Sequence, residues 1–588
     1  IARLTTWHPN PVTGEAHYHL GLTRRYQQRH DEAYGLFSKA AWNYEWRAAA
    51  HYELATLDCR RQRWADALAH LDAAAQTNQG NNKLFVLRAA VLRRLGRTGD
   101  AAQVLSNLLA VDPLDHWARC EAALLGQPDA EMRFLELSRN DAQTALDLAF
   151  DYADAGFVAD AIGVLERHRR NPVAPVAVPN PLERSQSVLY TLAWLHAERG
   201  ETATAAALLT EARAQAPDYF FPSRLHEHRV LAWATAQPGA DPLAGFALGN
   251  FYYDLKRHEE AIAAWERAVQ ERPAFATAWR NLGVAYWNRH HDAVRARDAY
   301  VKALAADPAD ARLVYEFDQL RKKLNEPLAE RLAFREQHEA LVATRDDASV
   351  EIATLYNLLD RLDRALAWLT GRRFHPWEGG EGAVLRQYSA ACLRLGQRAL
   401  TVGAPEEALR HFERVLNPPE TLGETAHLLQ ARADVNTWLG RAHRAAGRED
   451  EARRHFELSA AEENDFSGTA VTAHSPLSYY RGWSLRELGR EADARALFAD
   501  LKRFGEEGLR RPARIDYFAT SLPDLLVFDE DLQARRDAEY HLLIALGCHG
   551  LGDIAGARTH LGQTLAFTQC DAHALDLRRN LETGPAAG

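Results

Sequence analysis

Small and apolar residues recur along this chain at a fixed interval, with charged residues filling the positions that a helix turns outward. Ala33, Ala67 and Ala101 are spaced 34 residues apart, and Gly21, Ala55 and Ala89 keep that interval 12 residues upstream of each. A repeat of this length holds one helix hairpin. It needs one small residue where its two helices meet and another where it meets the next hairpin, because only a small side chain lets helix axes approach closely. The beat returns with Leu248, Gly249, Tyr252, Ala261, Trp265, Ala268 and Pro273. It returns again with Trp279, Leu282, Gly283, Tyr286, Ala296, Tyr300, Ala303 and Pro308, this time with one extra residue in the turn. Partial matches over 148–165, 192–217, 352–369, 395–412, 439–456, 482–498 and 545–561 bring the number to about a dozen hairpins. The recurring aromatic, leucine and alanine positions follow helical spacing and are therefore the predicted core. Gly156, Gly200, Gly447, Gly489 and Gly552 fall between paired helices, where a helix end takes a residue tolerant of positive φ. Pro113, Pro217, Pro273 and Pro308 mark the ends of second helices. The predicted fold class is all-α, a right-handed α-α superhelix of stacked hairpins.

Composition narrows what such an array does. At 588 residues the chain is several times the length of a single domain, as a repeat array is, and its 47% hydrophobic and 26% charged residues are those of a folded protein. The net charge is −10, with acids and bases interleaved along the helices, so nucleic acid is not an expected partner. No apolar run reaches the roughly 18 residues of a membrane span, so no membrane partner is expected either. Cys59, Cys120, Cys392, Cys548 and Cys570 lie far apart, with no CxxC pair. Neither a disulfide framework nor a zinc site is indicated, and buried reduced thiols in a cytoplasmic protein are expected. His290 and His291, and His226 with His228, lack further ligands at metal spacing, and no phosphate loop, HExxH or GxSxG motif is present. No cofactor and no metal are expected, and no catalytic residue is assigned. The chain opens on Ile1 and its single methionine is Met132, so a natural start upstream, with a leader or a further domain, is expected.

Irregular segments are where a site is sought, because an ideal array does not need them. They suggest an N-terminal array over 1–170, a proline-rich connector at 171–184, a central array over 185–370, a Gly/Trp/Glu loop at 371–384, and a C-terminal array over 385–588. The last carries insertions near 465–480 and 510–532. The loop FHPWEGGEG places His375, Trp377, Glu378 and Glu381 within seven residues. An aromatic plate beside carboxylates is what a sugar site uses, stacking on the apolar face of the ring while the acids take hydroxyls or give a proton. The alternative is a helix-joining loop in which Trp377 plugs the core and the glutamates cap the following helix. The second insertion mixes acids with aromatic and apolar residues, and Asp516, Tyr517, Asp524 and Asp529 make it a candidate docking element. Its alternative is a non-repeat helix with a solvated acidic face.

The aromatic, Leu-Gly, aromatic, Ala, aromatic, Ala, Pro order at 248–273 and 279–308 resembles the tetratricopeptide family. That resemblance implies a groove lined by the first helices, which in the family holds a peptide C-terminus through lysine and asparagine clamps. Asn250 and Asn281 stand at the asparagine places, but Phe246 replaces the first lysine. The expected groove is instead aromatic, with Phe246, Asn250, Tyr253, Arg280 and Trp287 facing a folded partner or an extended segment. The non-repeat motifs HPNPVTGEAHYHLGL, FHPWEGGEG, SGTAVTAHSPLSYY and DYFATSLPDLLVFDEDL are similar to the C-terminal repeat region of bacterial proteins that carry an N-terminal galactose-mutarotase-like β-sandwich of unknown function. This resemblance implies an interaction scaffold that packs against a carbohydrate-related domain and associates with itself. A carbohydrate-active enzyme to which the 374–382 loop lends a sugar site is the other reading.

Overall fold

The structure, a computed structural model, describes residues 12–583 except 140, 171–184, 218–219, 378, 427–429, 464, 468–469 and 515–526. The proline-rich connector expected at 171–184 therefore lies outside the described residues. The chain divides into two compact units, Ile1–Arg272 and Pro273–Gly588, a cut that falls inside the stretch read from sequence as one central array.

Both units are built from antiparallel helix pairs, and the same notch recurs in six of the pairs described. A glycine on the first helix lies under an aromatic ring that stands 16 or 17 residues later on the second. A Cβ at Gly21 would come within 2.6 Å of Phe37, at Gly249 within 2.2 Å of Trp265, and at Gly283 within 2.6 Å of Tyr300. The same is true of Gly396 under Phe412, Gly440 under Phe456 and Gly482 under Phe498. The second small-residue ladder is equally tight, since Ala33, Ala67, Ala101, Ala261 and Ala296 are fully buried. These contacts explain why the pattern repeats: each ring fills the space that the missing side chain leaves, so the helices close without a void.

The turns follow the expected backbone. Gly156, Gly200, Gly447, Gly489 and Gly552 all have φ between 74° and 84°. Gln28, Gln62, Lys256, His291, Asn325 and Asp360 occupy the corresponding turn position in other hairpins with φ between 52° and 65°. A search for glycine alone passes over them, because stacking on both sides holds the turn in a left-handed conformation that these side chains disfavour.

Within the first unit, helices distant in sequence meet through charge. The helix Ala142–Asp154 receives partners from three others. Arg25 reaches Asp154 at 2.9 Å, His226 reaches it at 2.8 Å, Lys83 reaches Asp151 at 2.8 Å, and Arg224 reaches Asp147 at 2.9 Å.

The second unit also folds back on its own beginning. Asn325 Nδ2 donates to the carbonyls of Leu565 and Ala566 at 3.4 Å, and Arg331 lies 3.2 Å from the Cys570 sulfur. Leu575, on the last described helix Ala572–Thr583, joins a core that includes Ile352, Leu369 and Tyr388. Beneath these contacts Asp318 is completely buried between Arg331 and Arg335 at 2.7 Å each. A buried acid held by two guanidiniums contributes little net stability, but losing one partner strands a charge in the core.

One feature departs from the all-helical expectation. Inside the 465–480 insertion, Asp465–Ser467 and Ala470–Thr472 form a two-stranded antiparallel ribbon, with Phe466 opposite Val471. The β-branched Val471 and Thr472 favour extended backbone, and the insertion carries none of the small-residue spacing that makes a hairpin of helices.

Candidate functional site

The described candidates of the 374–382 loop, His375, Trp377 and Glu381, turn to separate partners. Phe374 is buried and its N–H donates to the Thr421 carbonyl at 2.9 Å, which pins the start of the loop. His375 is 77% exposed and turns back to Asp346, whose carboxylate accepts from the His375 backbone N–H at 2.9 Å and lies 3.3 Å from Nδ1. Trp377 packs against the core of the second unit, and a Cβ at Gly380 would come within 2.0 Å of its indole. Glu381 is exposed and accepts from the Gly379 N–H within its own loop at 3.1 Å, while Glu378 lies outside the described residues. The acid that caps the following helix is Glu424, which accepts from Gly382 at 2.6 Å and Leu385 at 2.8 Å. Trp377 thus serves the core, and the capping expected of a loop glutamate falls to a residue more distant in sequence.

The groove candidates separate just as sharply. Phe246 is buried, and its carbonyl accepts from the Trp265 indole at 3.1 Å, so it belongs to the core and not to a groove. Tyr253 leans on His258 and Trp265, with ring centroids at 4.8 and 5.4 Å, and Asn250 donates to the Phe220 carbonyl at 3.3 Å. In the second unit Arg280 grips Glu316 through two bonds of 2.7 Å, and Glu316 also accepts from Tyr300 at 2.8 Å. Burial opposes the charge of Glu316, but Arg280 and Arg312 together hold its carboxyl below the usual range.

Trp287 has a different role, because a non-helical segment of the same chain lies on it. Its indole donates to the Asp529 carbonyl at 3.0 Å. The neighbouring Asn288 pairs with the same backbone in both directions, donating to the Val527 carbonyl at 3.0 Å and accepting from the Asp529 N–H at 2.8 Å. Phe528 is buried against Tyr300 and Trp287, with centroids at 5.7 and 6.3 Å. Lys323 pairs with Glu530 at 2.5 Å, and Arg289 lies 3.9 Å from Asp529. Of the docking residues expected from sequence, Asp529 is therefore placed, while Asp516, Tyr517 and Asp524 lie outside the described residues. A buried phenylalanine contributes about 1.5–3 kcal/mol. An asparagine that satisfies both a carbonyl and an N–H of one segment reads its backbone whatever its side chains.

Residues 249–289 match the family description "TPR repeat". This stretch is therefore similar to a tetratricopeptide repeat. Solved structures similar to the whole chain include the APC/C hetero-tetramer Cut9-Hcn1, at 14% identity over 90% of this chain and 96% of that one, with a TM-score of 0.23. Naa15/Naa10 bound to HypK-THB is similar at 12% identity over 97% and 96%, with a TM-score of 0.25. PilW, a type IV pilus biogenesis factor, is similar at 18% identity over 38% of this chain and 94% of that one, with a TM-score of 0.21. At these scores none of the three bears on function.

Two groups of residues among the tetratricopeptide-type hairpins were not legible in advance. Asn288 and Lys323 occupy ordinary helix positions, and only the returning segment gives them a role. In the first unit, Arg25, Tyr26, Gln28, His30, Arg60, Asp154 and Arg229 line a narrow cleft. Burial opposes the charge of Asp154, yet His226, Arg25 and Arg229 hold its carboxyl well below the usual range. Burial and the neighbouring arginines hold the His30 ring below the usual histidine value. Each of these residues fits its own hairpin without comment, so no local pattern marks the cleft. Among the described residues no helix is long and apolar enough to cross a membrane.

Proposed function

We propose that the chain is a helical-repeat scaffold that binds protein, with non-helical polypeptide as the form its repeats hold. The observation that carries this reading is the grip of Trp287 and Asn288 on the backbone of 527–529. Three side-chain bonds to main chain and one aromatic anchor are what a repeat surface needs to hold a non-helical segment. The tetratricopeptide match at 249–289 supports the same reading. Its finer part is that the scaffold packs against a carbohydrate-related β-sandwich domain and associates with itself, which rests on the resemblance of the non-repeat motifs. The spread of His375, Trp377 and Glu381 gives a sugar site at that loop no support of its own.

Affinity capture with the full chain tests the reading. A protein bound in stoichiometric amount by the chain carrying Phe528→Ala, in which the segment lying on Trp287 is loosened, and lost when Trp287→Ala is added with far-UV helicity retained, is the expected outcome. A chain that captures no protein and instead hydrolyses members of a glycoside panel overturns it.

A further inference from the structure

The segment Val527–Asp531 occupies its place in the manner of a ligand. It bends at Val527 and Phe528, it precedes the helix Leu532–Leu551, and Asp531, in extended conformation, caps that helix by accepting from Gln533 and Ala534 at 3.0 Å. The residues that hold it come from hairpins about 240 positions earlier. Three recognition elements lie along it, the backbone contacts falling on both sides of the aromatic one. Backbone is read by Asn288 and Trp287, a large aromatic enters between Tyr300 and Trp287, and the next acids meet Arg289 and Lys323. Glu530 also lies 3.4 Å from Arg535 of its own following helix, so Lys323 shares it with a local partner. Val527–Glu530 thus present an apolar, Phe, Asp, Glu order to a surface whose amide and indole flank the aromatic pocket and whose cations meet the two acids.

We propose that this surface of the second unit is a binding site for a non-helical acidic segment of a partner protein, of the pattern apolar-Phe-Asp-Glu, and that Val527–Glu530 holds it closed in cis. The proposal rests on the scaffold reading above and names its ligand class and its control. A tethered occupant acts at an effective concentration on the order of millimolar, so a free segment of equal intrinsic affinity competes poorly until the tethered one is loosened. The site is therefore closed by default and opened by whatever weakens the Phe528 anchor or the Lys323–Glu530 pair.

The test uses the full chain and a fluorescein-labelled nonapeptide, DLLVFDEDL, spanning residues 524–532, read by anisotropy. Phe528→Ala is expected to bind the peptide at least about ten-fold more tightly than the wild type. Adding Asn288→Ala to that variant is expected to abolish binding, and a peptide with alanine at its phenylalanine is expected not to bind. Because Phe528 is buried, Glu530→Lys supplies a second opening that leaves the core intact. It too should expose the site, and joining it to Lys323→Glu should close the site again by restoring the pair with reversed charges. No gain in peptide binding by either opened variant, with far-UV helicity retained, overturns the proposal, as does binding that ignores Asn288→Ala. If the opened variants fail with the peptide while the full chain still captures a protein partner through Trp287, this inference falls and the scaffold reading stands.

Discussion

At the scale of single residues, glycines on helices in this protein are of two kinds. Gly482 lies under Phe498, where a Cβ would approach the ring to 2.4 Å, whereas Gly35, in the helix His30–Ala40, has nothing within 4 Å of the same position. Helix propensity favours alanine over glycine at both sites by about 1 kcal/mol. Only at Gly482 does overpacking, typically about 1–3 kcal/mol, act against it. Gly35→Ala is accordingly expected to raise the urea midpoint, and Gly482→Ala to lower it with unchanged slope. Equal effects from the two would mean that the ring does not sit in the notch. Buried thiols show the same dominance of environment, as burial pushes Cys120 up to about 12 and Cys392 up to about 11.

At the scale of elements, the helices end and begin where local chemistry and distant chemistry agree. Helix starts capped by their own residue were open to reading, as at Asp310, which accepts from Arg312 and Leu313 at 2.7 and 3.4 Å. The start of Ala383–Thr401 was not, because its capping acid is Glu424, some 40 residues away in sequence. Glu424→Ala is expected to destabilise the second unit by about 0.5–2 kcal/mol, the usual worth of a cap, and Glu381→Ala to have no measurable effect. Paired denaturation curves decide between them, and a larger loss from Glu381→Ala would return the capping role to the loop. The identity of the FHPWEGGEG loop as an unusual segment was therefore plain in the sequence, but its chemistry was not. Proximity of His375, Trp377 and Glu381 along the chain says nothing about where each side chain turns once Phe374 is anchored.

At the scale of the whole molecule, burial acts on the histidines in one direction. His17, His30, His51, His70, His228, His411, His443, His455, His474, His541, His549 and His560 are all shifted down, by burial first and by cationic neighbours in most cases. A histidine that binds its proton less readily folded than unfolded stabilises the fold fully above the ordinary value of about 6.5, and loses that contribution as the pH falls through it. The carboxylates held low, such as Glu351 at about 2, give up theirs only at more acid pH. The melting temperature is thus expected to fall between about pH 7 and pH 5.5. His51 and His70 face each other with Nδ1 atoms 2.8 Å apart, flanked by Tyr34, Arg47, Asp58, Arg63 and Asp66. His51→Gln should flatten the fall, because one ring no longer resists protonation of the other. A melting temperature constant across that window would show that these rings are not held neutral.

The sequence by itself determined the hairpin, the recurring small and aromatic positions of its core, and the place of the turns that carry glycine. Those contacts join residues less than one repeat apart, so they leave a periodic trace that can be read without coordinates. Tertiary structure alone decided that Asn288 holds Asp529, that Asp154 collects charges from several helices, and that the second unit returns to its own first hairpins. Such pairings depend on how small rotations between successive hairpins add up over hundreds of residues, and a sum of that kind leaves no mark at any one position.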